Sequence, residues 1–326
     1  MLAEIGVGKG ERRVLHAGSV RRFDRETSAA GAKAASMRYV SYSENAGHPR
    51  PGVIEGDAVR PFGADVHSLD AFIALSPAER AAAVAKLGAA VPLASVKLHS
   101  PLHPKKNVFC VGRNYLAHAE EGARVRGEKL DLPDVPTYFS KAPKAIAGPD
   151  QVLELSSDVS PKYDWEAELG VVIGTTARDV PEADALSVVF GYMCLNDVTA
   201  RDLQRSHIQW FKGKSLDNSC PIGPWIVDAA DLGDAQKLDI KLRVNGVEKQ
   251  SSNTSKMIFN LKQIIANLSH GITLHPGDII ASGTPEGVGF ARVPPEFLKD
   301  GDVMEVEIEK IGILRNAVHI APDKKR

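Results

Sequence analysis

The chain has 326 residues, 43% of them apolar and 25% charged, with 40 Lys and Arg against 41 Asp and Glu. That composition excludes a disordered chain and leaves length enough for a sizeable buried core. A net charge of -1 offers no global attraction to nucleic acid or an anionic membrane, so neither is expected as a partner.

Residues 1–36 are rich in Arg, Gly and Ala and lack helical or strand periodicity. Glu4, Glu11, Asp24 and Glu26 speak against an acid-poor transit peptide, and no apolar signal core is present. The segment reads as a poorly ordered extension upstream of a natural start at Met37. A small α+β domain is expected over 37–98. Arg38 to Tyr42 reads as a strand, and 51–59 as a hairpin turning at Glu55-Gly56-Asp57. Ser76, Pro77 and Glu79 spell a capping box with Pro at the first helical position, and Gly88 is the expected helix stop. Residues 103–320, after a Pro-containing linker, are strand-rich with few helices, so the predicted class is α+β, mostly β.

Within that larger region, Leu169 to Gly174 and Val188 to Leu195 are unbroken apolar runs, as strands buried on both faces require, and the second is far shorter than the ~20 residues of a membrane span. Leu238 to Val244 alternates and ends in Asn245-Gly246, a hairpin signal. Ile258, Leu261, Ile264, Ile265 and Leu268 have helical spacing. Met304, Val306 and Ile308 alternate with Glu305, Glu307 and Glu309, which predicts a strand with a solvated acidic face, a metal ladder being the alternative. Cys110, Cys194 and Cys220 form no CxxC pair, so reduced, buried thiols in a cytoplasmic protein are expected.

Some motifs fail on inspection. Gly213-Lys214-Ser215 resembles the end of a phosphate-binding loop, but the Gly required five positions earlier is Ile208. There is no GxSxG elbow and no HExxH.

Three segments carry chemistry. Glu166 and Glu168 enter the first apolar run two residues apart, so they share a strand face, and two carboxylates that close need a cation or a raised pKa to be held in a dry site. A charged strand end in solvent is the alternative. Asp197 leaves the second run ahead of a helical stretch, 198–204, where capping would also explain it. Together the three carboxylates make a hard, all-oxygen site suited to Mg²⁺, with Mn²⁺ or Ca²⁺ as alternatives. His118 and Glu121 lie three apart in a short helix, the spacing that a general base and its orienting carboxylate need, although exposed helices carry such pairs too.

These segments together resemble the fumarylacetoacetate hydrolase family, whose members include acylpyruvases and 2-hydroxyhepta-2,4-diene-1,7-dioate isomerases. The resemblance lies in Gly112-Arg113-Asn114-Tyr115, Glu166-Ala167-Glu168-Leu169, Asp197 with Thr199-Ala200-Arg201-Asp202, Gly213-Lys214-Ser215 with Ser219-Cys220-Pro221, and Gly277-Asp278-Ile279-Ile280 running into Gly283-Thr284-Pro285-Glu286-Gly287-Val288-Gly289. It covers about 103–320. It implies a mixed β-sheet roll, a homodimer, and Mg²⁺ or Mn²⁺ on Glu166, Glu168 and Asp197. It further implies His118 as base with Glu121 behind it, Lys214 as a cation facing developing negative charge, and Arg201, Gln204, Thr284 and Lys141 as substrate contacts. Asp164-Trp165 stands where some members have a His before the first ligand.

The implied activity is hydrolysis of the C–C bond of a 2,4-dioxo acid of acylpyruvate type, through a metal-stabilised enolate. The same chemistry serves an isomerase or decarboxylase of a 2-oxo diacid in aromatic catabolism. A third alternative is a protein that binds metal and 2-oxo acid without turnover. Specificity is expected in 122–140 and around His207 to Phe211, where Trp210 and Phe211 serve either substrate stacking or core packing.

Overall fold

Ala167–Ile173 forms the strand that its unbroken apolar sequence predicts, and both of its faces are covered. Leu169, Val171 and Ile173 join one apolar cluster, and Val172 joins another on the opposite side. Its neighbour Val189–Asn196 divides in the same way, Tyr192 and Cys194 to the first cluster, Met193 and Leu195 to the second. A strand buried on both sides has no reason to alternate, which is why these two read as continuous runs. The computed structural model that shows this describes residues 36–45 and 47–322; apart from Ser36, the extension expected over 1–36 lies outside the described residues.

The two strands are central in a twelve-stranded mixed sheet. On one side Val189–Asn196 pairs with Cys220–Asp228, which pairs with Arg38–Glu44; that strand pairs in turn with Arg50–Glu55, the first arm of a hairpin completed by Ala58–Pro61. On the other side Ala167–Ile173 pairs antiparallel with Ile279–Ala281, which runs parallel to Val108–Gly112, with Thr137–Lys141 at the edge. A five-stranded sheet made of Val247–Asn253, Asp239–Val244, Val303–Ile308, Gly312–Ala321 and Leu153–Ser156 covers the first face. Ile240, Leu242, Met304, Val306 and Leu314 fill the space between the sheets. Residues 37–98 join the larger region through the pairing of Arg38 and Tyr39 with Val227 and Ile226, and through Leu69, Phe72 and Ile73, which pack in the second cluster.

Local punctuation follows the sequence at starts better than at stops. Ser76 accepts from the Glu79 amide while Glu79 accepts from the Ser76 amide, completing the capping box of Pro77–Val84. That helix ends at Val84 rather than running on to Gly88, because Arg60 donates to the carbonyls of Leu87 and Gly88 and the Gly88 amide donates to Pro61. Replacing Ser76 by Ala is expected to cost about 1 kcal/mol, read as a lower urea midpoint with unchanged slope. The C-terminal helix is Leu261–Ser269, capped by Asn260 with Gln263; Ile258 stays outside it because its amide donates to the Asn114 carbonyl. The acidic strand face is solvated and paired, with Glu307 on Arg243 at 2.7 Å. All three cysteines are free and buried.

Candidate active site

Ala167–Ile173 and Val189–Asn196 deliver their acids to one place because they pair in register, Ala167 opposite Asn196. Oxygens of Glu166, Glu168 and Asp197 lie within 4.8 Å of one another, and all three residues are buried. Asp197 does not cap the following helix, which begins at Arg201 with Ala200 as its cap. Its carboxylate instead accepts from Lys141 Nζ and Lys214 Nζ, one on each oxygen, at 2.7 Å. Glu166 accepts from Lys214 Nζ at 2.7 Å and pairs with Arg201 Nη1 at 2.7 Å. Among the described residues Glu168 meets no such cation; its Oε2 accepts from the Gly283 amide, at 2.8 Å.

Electrostatics separates the two glutamates. Burial would raise Glu166, but Lys214 and Arg201 outweigh it and hold its pKa at about 2. Burial together with the carboxylates of Asp197 and Glu166 pushes Glu168 well above the ordinary carboxylate range. Burial opposes the charge on Lys214, yet Asp197 and Glu166 prevail and raise its pKa.

The glycine-rich loop 283–289 presents its amides to the site acids. Gly283 donates to Glu168, Gly287 to Glu121 Oε2 at 3.0 Å, and Gly289 to Asp164 Oδ1 at 2.7 Å. Gly287 has φ +98°, and a Cβ there would stand 2.2 Å from the Lys249 carbonyl oxygen, so only glycine fits. Glu121 is thereby fixed from one side while its Oε1 meets His118 Nδ1 at 2.9 Å. His118 and Glu121 both lie in the helix Leu116–Arg126. His118, Glu166, Glu168, Lys214, Arg201, Gln204 and Thr284 all line one cavity of about 470 Å³.

Residues 107–319 match the family described as Fumarylacetoacetate (FAA) hydrolase C-terminal. The chain belongs to the fumarylacetoacetate hydrolase family. It is 44% identical over 227 residues to the oxaloacetate tautomerase YisK of Bacillus subtilis (strain 168), covering 69% of this chain and 74% of that protein. It is 40% identical over 287 residues to a 2,4-didehydro-3-deoxy-L-rhamnonate hydrolase of Sphingomonas sp. (strain SKA58), covering 86% and 96%. Among solved structures, the fumarylacetoacetate hydrolase from psychrophilic Exiguobacterium antarcticum superposes with a TM-score of 0.74 at 39% identity, over 87% of this chain and all of that one. The 2-hydroxyhepta-2,4-diene-1,7-dioate isomerase from Mycobacterium marinum superposes with a TM-score of 0.70 at 32% identity, over 89% and 100%. The mixed-sheet fold expected from the resemblance is the fold observed, and the relatives are enzymes.

In this family member the residues singled out in the sequence converge, with one displaced. Lys141 is fully buried behind Asp197, donating also to the Val198 carbonyl at 3.1 Å, and it does not line the cavity. Thr284 Oγ1 accepts from Gln250 Nε2 at 2.8 Å, which leaves its own hydroxyl proton to donate elsewhere. Gly213 lets the helix Phe211–Lys214 press against the preceding one, since a Cβ would lie 2.4 Å from the Gln204 amide nitrogen, and this closeness seats Lys214. Trp210 lies on Gly112 and edge-on to Phe139 at 5.4 Å, lining the cavity, whereas Phe211 is exposed.

Three supporting residues escaped the sequence. Asp164 accepts from Arg201 Nε, Trp165 N, Gly289 N and Phe290 N. Asn196 and Gln250 accept from the amides of Glu166 and Ala167. For Asp164 a signal existed: Asp164, Glu166 and Glu168 stand at strand spacing.

The donor set fits a divalent cation. Three buried carboxylates supply only hard oxygens, each oxygen keeps a lone pair beyond its hydrogen bond, and Glu168 lacks a cationic partner among the described residues. No helix among the described residues is long and apolar enough to cross a membrane.

Proposed function

We propose that this protein hydrolyses the C3–C4 bond of a 2,4-dioxo acid, with Glu166, Glu168 and Asp197 holding Mg²⁺ or Mn²⁺. The observation that carries this reading is His118, held by Glu121 at 2.9 Å and lining the same cavity as Glu166 and Glu168. The hydrolase from Sphingomonas supports it, because its name gives a 2,4-didehydro substrate and the likeness to it spans 86% of this chain.

A bound divalent cation would supply Lewis-acid polarisation of the substrate's 2-oxo acid group. Arg201, Gln204 and Thr284 orient that group. His118 takes a proton from water, Glu121 stabilises the imidazolium, and the hydroxide attacks the C4 carbonyl. Lys214 faces the negative charge developing on oxygen. The C3–C4 bond breaks with its electron pair left on the C3 fragment, and the imidazolium returns the proton there. The products are a carboxylic acid and pyruvate or another 2-oxo acid.

A second reading is supported by the tautomerase and isomerase relatives. With no water attack, His118 would move a proton to or from C3 and release the tautomer or double-bond isomer. Loss of the enol absorbance of an acylpyruvate, run in ¹⁸O water with Mg²⁺ or a chelator, separates the readings. Hydrolysis puts label into the released acid; metal-dependent loss without C–C cleavage would sink it and leave the second.

Replacing Glu168 by Gln is expected to weaken Mn²⁺ binding about 100-fold, by removal of a charged ligand. Isothermal titration reads this directly, and unchanged affinity would take Glu168 out of the ligand set.

A further inference from the structure

The helix that carries His118 and Glu121 begins without a side-chain cap, since Tyr115 at its N-cap makes no such bond. Its entrance is held by the residue before. Asn114 is fully buried and does not line the cavity. Its Nδ2 donates to the carbonyls of Ser282, at 2.8 Å, and Phe259, at 3.0 Å, and its Oδ1 accepts from the Phe259 amide at 2.8 Å. Its own carbonyl accepts from the Ile258 amide at 2.7 Å. Both side-chain donors are thereby used, and one amide group joins three stretches that are far apart in sequence, 112–115, 258–259 and 282–283. Arg113, just ahead of it, holds φ at +55°, so the chain turns in the left-handed region to bring Asn114 in.

Two of those stretches lead to site residues. The Gly283 amide donates to Glu168 Oε2 at 2.8 Å, and the Ser282 amide donates to the carbonyl of Leu169, the residue after Glu168, at 3.2 Å. Asn114 touches this backbone closely, for a Cβ on Gly283 would stand 2.6 Å from the Asn114 Cβ. In the other direction the Ala119 amide donates to the Tyr115 carbonyl at 2.9 Å, closing the first turn of the base's helix. Asn114 therefore lies one peptide from that helix and one hydrogen bond from the backbone that holds Glu168.

We infer that Asn114 is a positioning residue that fixes His118 and Glu168 relative to each other. The inference rests on the proposed roles of those two residues, base and metal ligand, and adds how their separation is set. Removing the side chain leaves two carbonyls and an amide without partners in a buried place, and the freed backbone carries the Gly283 N–H off the Glu168 carboxylate.

The test sets Asn114→Ala beside Asn316→Ala in the full chain. Asn316 is also buried, and its Nδ2 donates to two carbonyls, those of Gly148 and Gln151, both at 2.9 Å, away from the site residues. Both substitutions should lower the thermal midpoint. Only Asn114→Ala should weaken Mn²⁺ binding, by about tenfold in isothermal titration. Only Asn114→Ala should also lower kcat at saturating Mn²⁺, by about 10-fold to 100-fold, read as loss of acylpyruvate enol absorbance. Should Asn114→Ala not fold, Asn114→Asp takes its place, because it keeps the shape and the acceptor for the Phe259 amide but not both donors; the same two losses are expected, each severalfold. Mn²⁺ affinity or kcat within about twofold of the wild type in a folded Asn114 variant, or equal losses in Asn316→Ala, overturns the inference. Both losses in an enzyme that consumes the enol without C–C cleavage uphold it and strike only the hydrolytic reading. A wild-type chain that takes up no Mn²⁺ fails the proposed metal site, and the inference with it.

Discussion

His118→Ala is expected to lower kcat for the true substrate by about 10²–10⁴-fold while the thermal transition moves little. The reasoning starts from the ring's two nitrogens. Nδ1 is committed to Glu121 at 2.9 Å, and Nε2 has no partner among the described residues. An Nδ1–H held by a carboxylate leaves the lone pair on Nε2, the form a base requires. Glu121 is itself held by the Gly287 amide at 3.0 Å, so the imidazole's position traces back to a loop glycine. Glu121→Gln should therefore cost less, about 10-fold to 100-fold, since a hydrogen bond survives while stabilisation of the imidazolium is lost. Steady-state turnover of the two variants checks this. A His118→Ala enzyme within threefold of the wild type would remove His118 from the reaction.

The sequence made this pair legible because both members sit within one helical turn, where spacing alone fixes the shared face. Glu166 and Glu168 were legible for the matching reason on a strand. What spacing could not show is what neutralises them. Lys141, Lys214 and Asp197 are 56 and 17 residues apart along the chain, and their meeting depends on the register of separate strands and on a glycine that admits a close helix contact. The capping alternative for Asp197 fell on the same ground, since two ammonium groups claim its carboxylate. The amides of the glycine-rich loop serve the protein's own carboxylates, Glu168, Glu121 and Asp164. The fold was readable at its centre, where burial on both faces removes alternation, and less so at helix ends, where Arg60 and Asn114 set the boundary from elsewhere in the chain.

Asp164→Ala is expected to destabilise the protein by about 3–5 kcal/mol, because it leaves the buried Arg201 with one carboxylate instead of two and leaves three loop and strand amides without their acceptor. Asp164 is fully buried and accepts four donors, two on each oxygen: Trp165 N and Gly289 N at 2.8 and 2.7 Å, Arg201 Nε and Phe290 N at 2.7 and 3.0 Å. Burial raises its pKa, with Arg201 the chief restraint on that rise. Its side chain ties Arg201 to the 289–290 end of the loop, so the loss reaches function as well as stability. The thermal midpoint should fall by about 4–7 °C in scanning calorimetry. In the proposed reaction KM should rise more than kcat falls, because there Arg201 orients substrate, whereas Glu121, behind His118, is held by the Gly287 amide and not by those of Gly289 and Phe290. Asp164→Asn, which keeps an oxygen for the loop amides, should recover part of the midpoint but little of the KM, since the charge facing Arg201 is gone. An Asp164→Ala midpoint within about 1 °C of the wild type would mean that Arg201 is held by Glu166 alone, and that the loop keeps its place without Asp164.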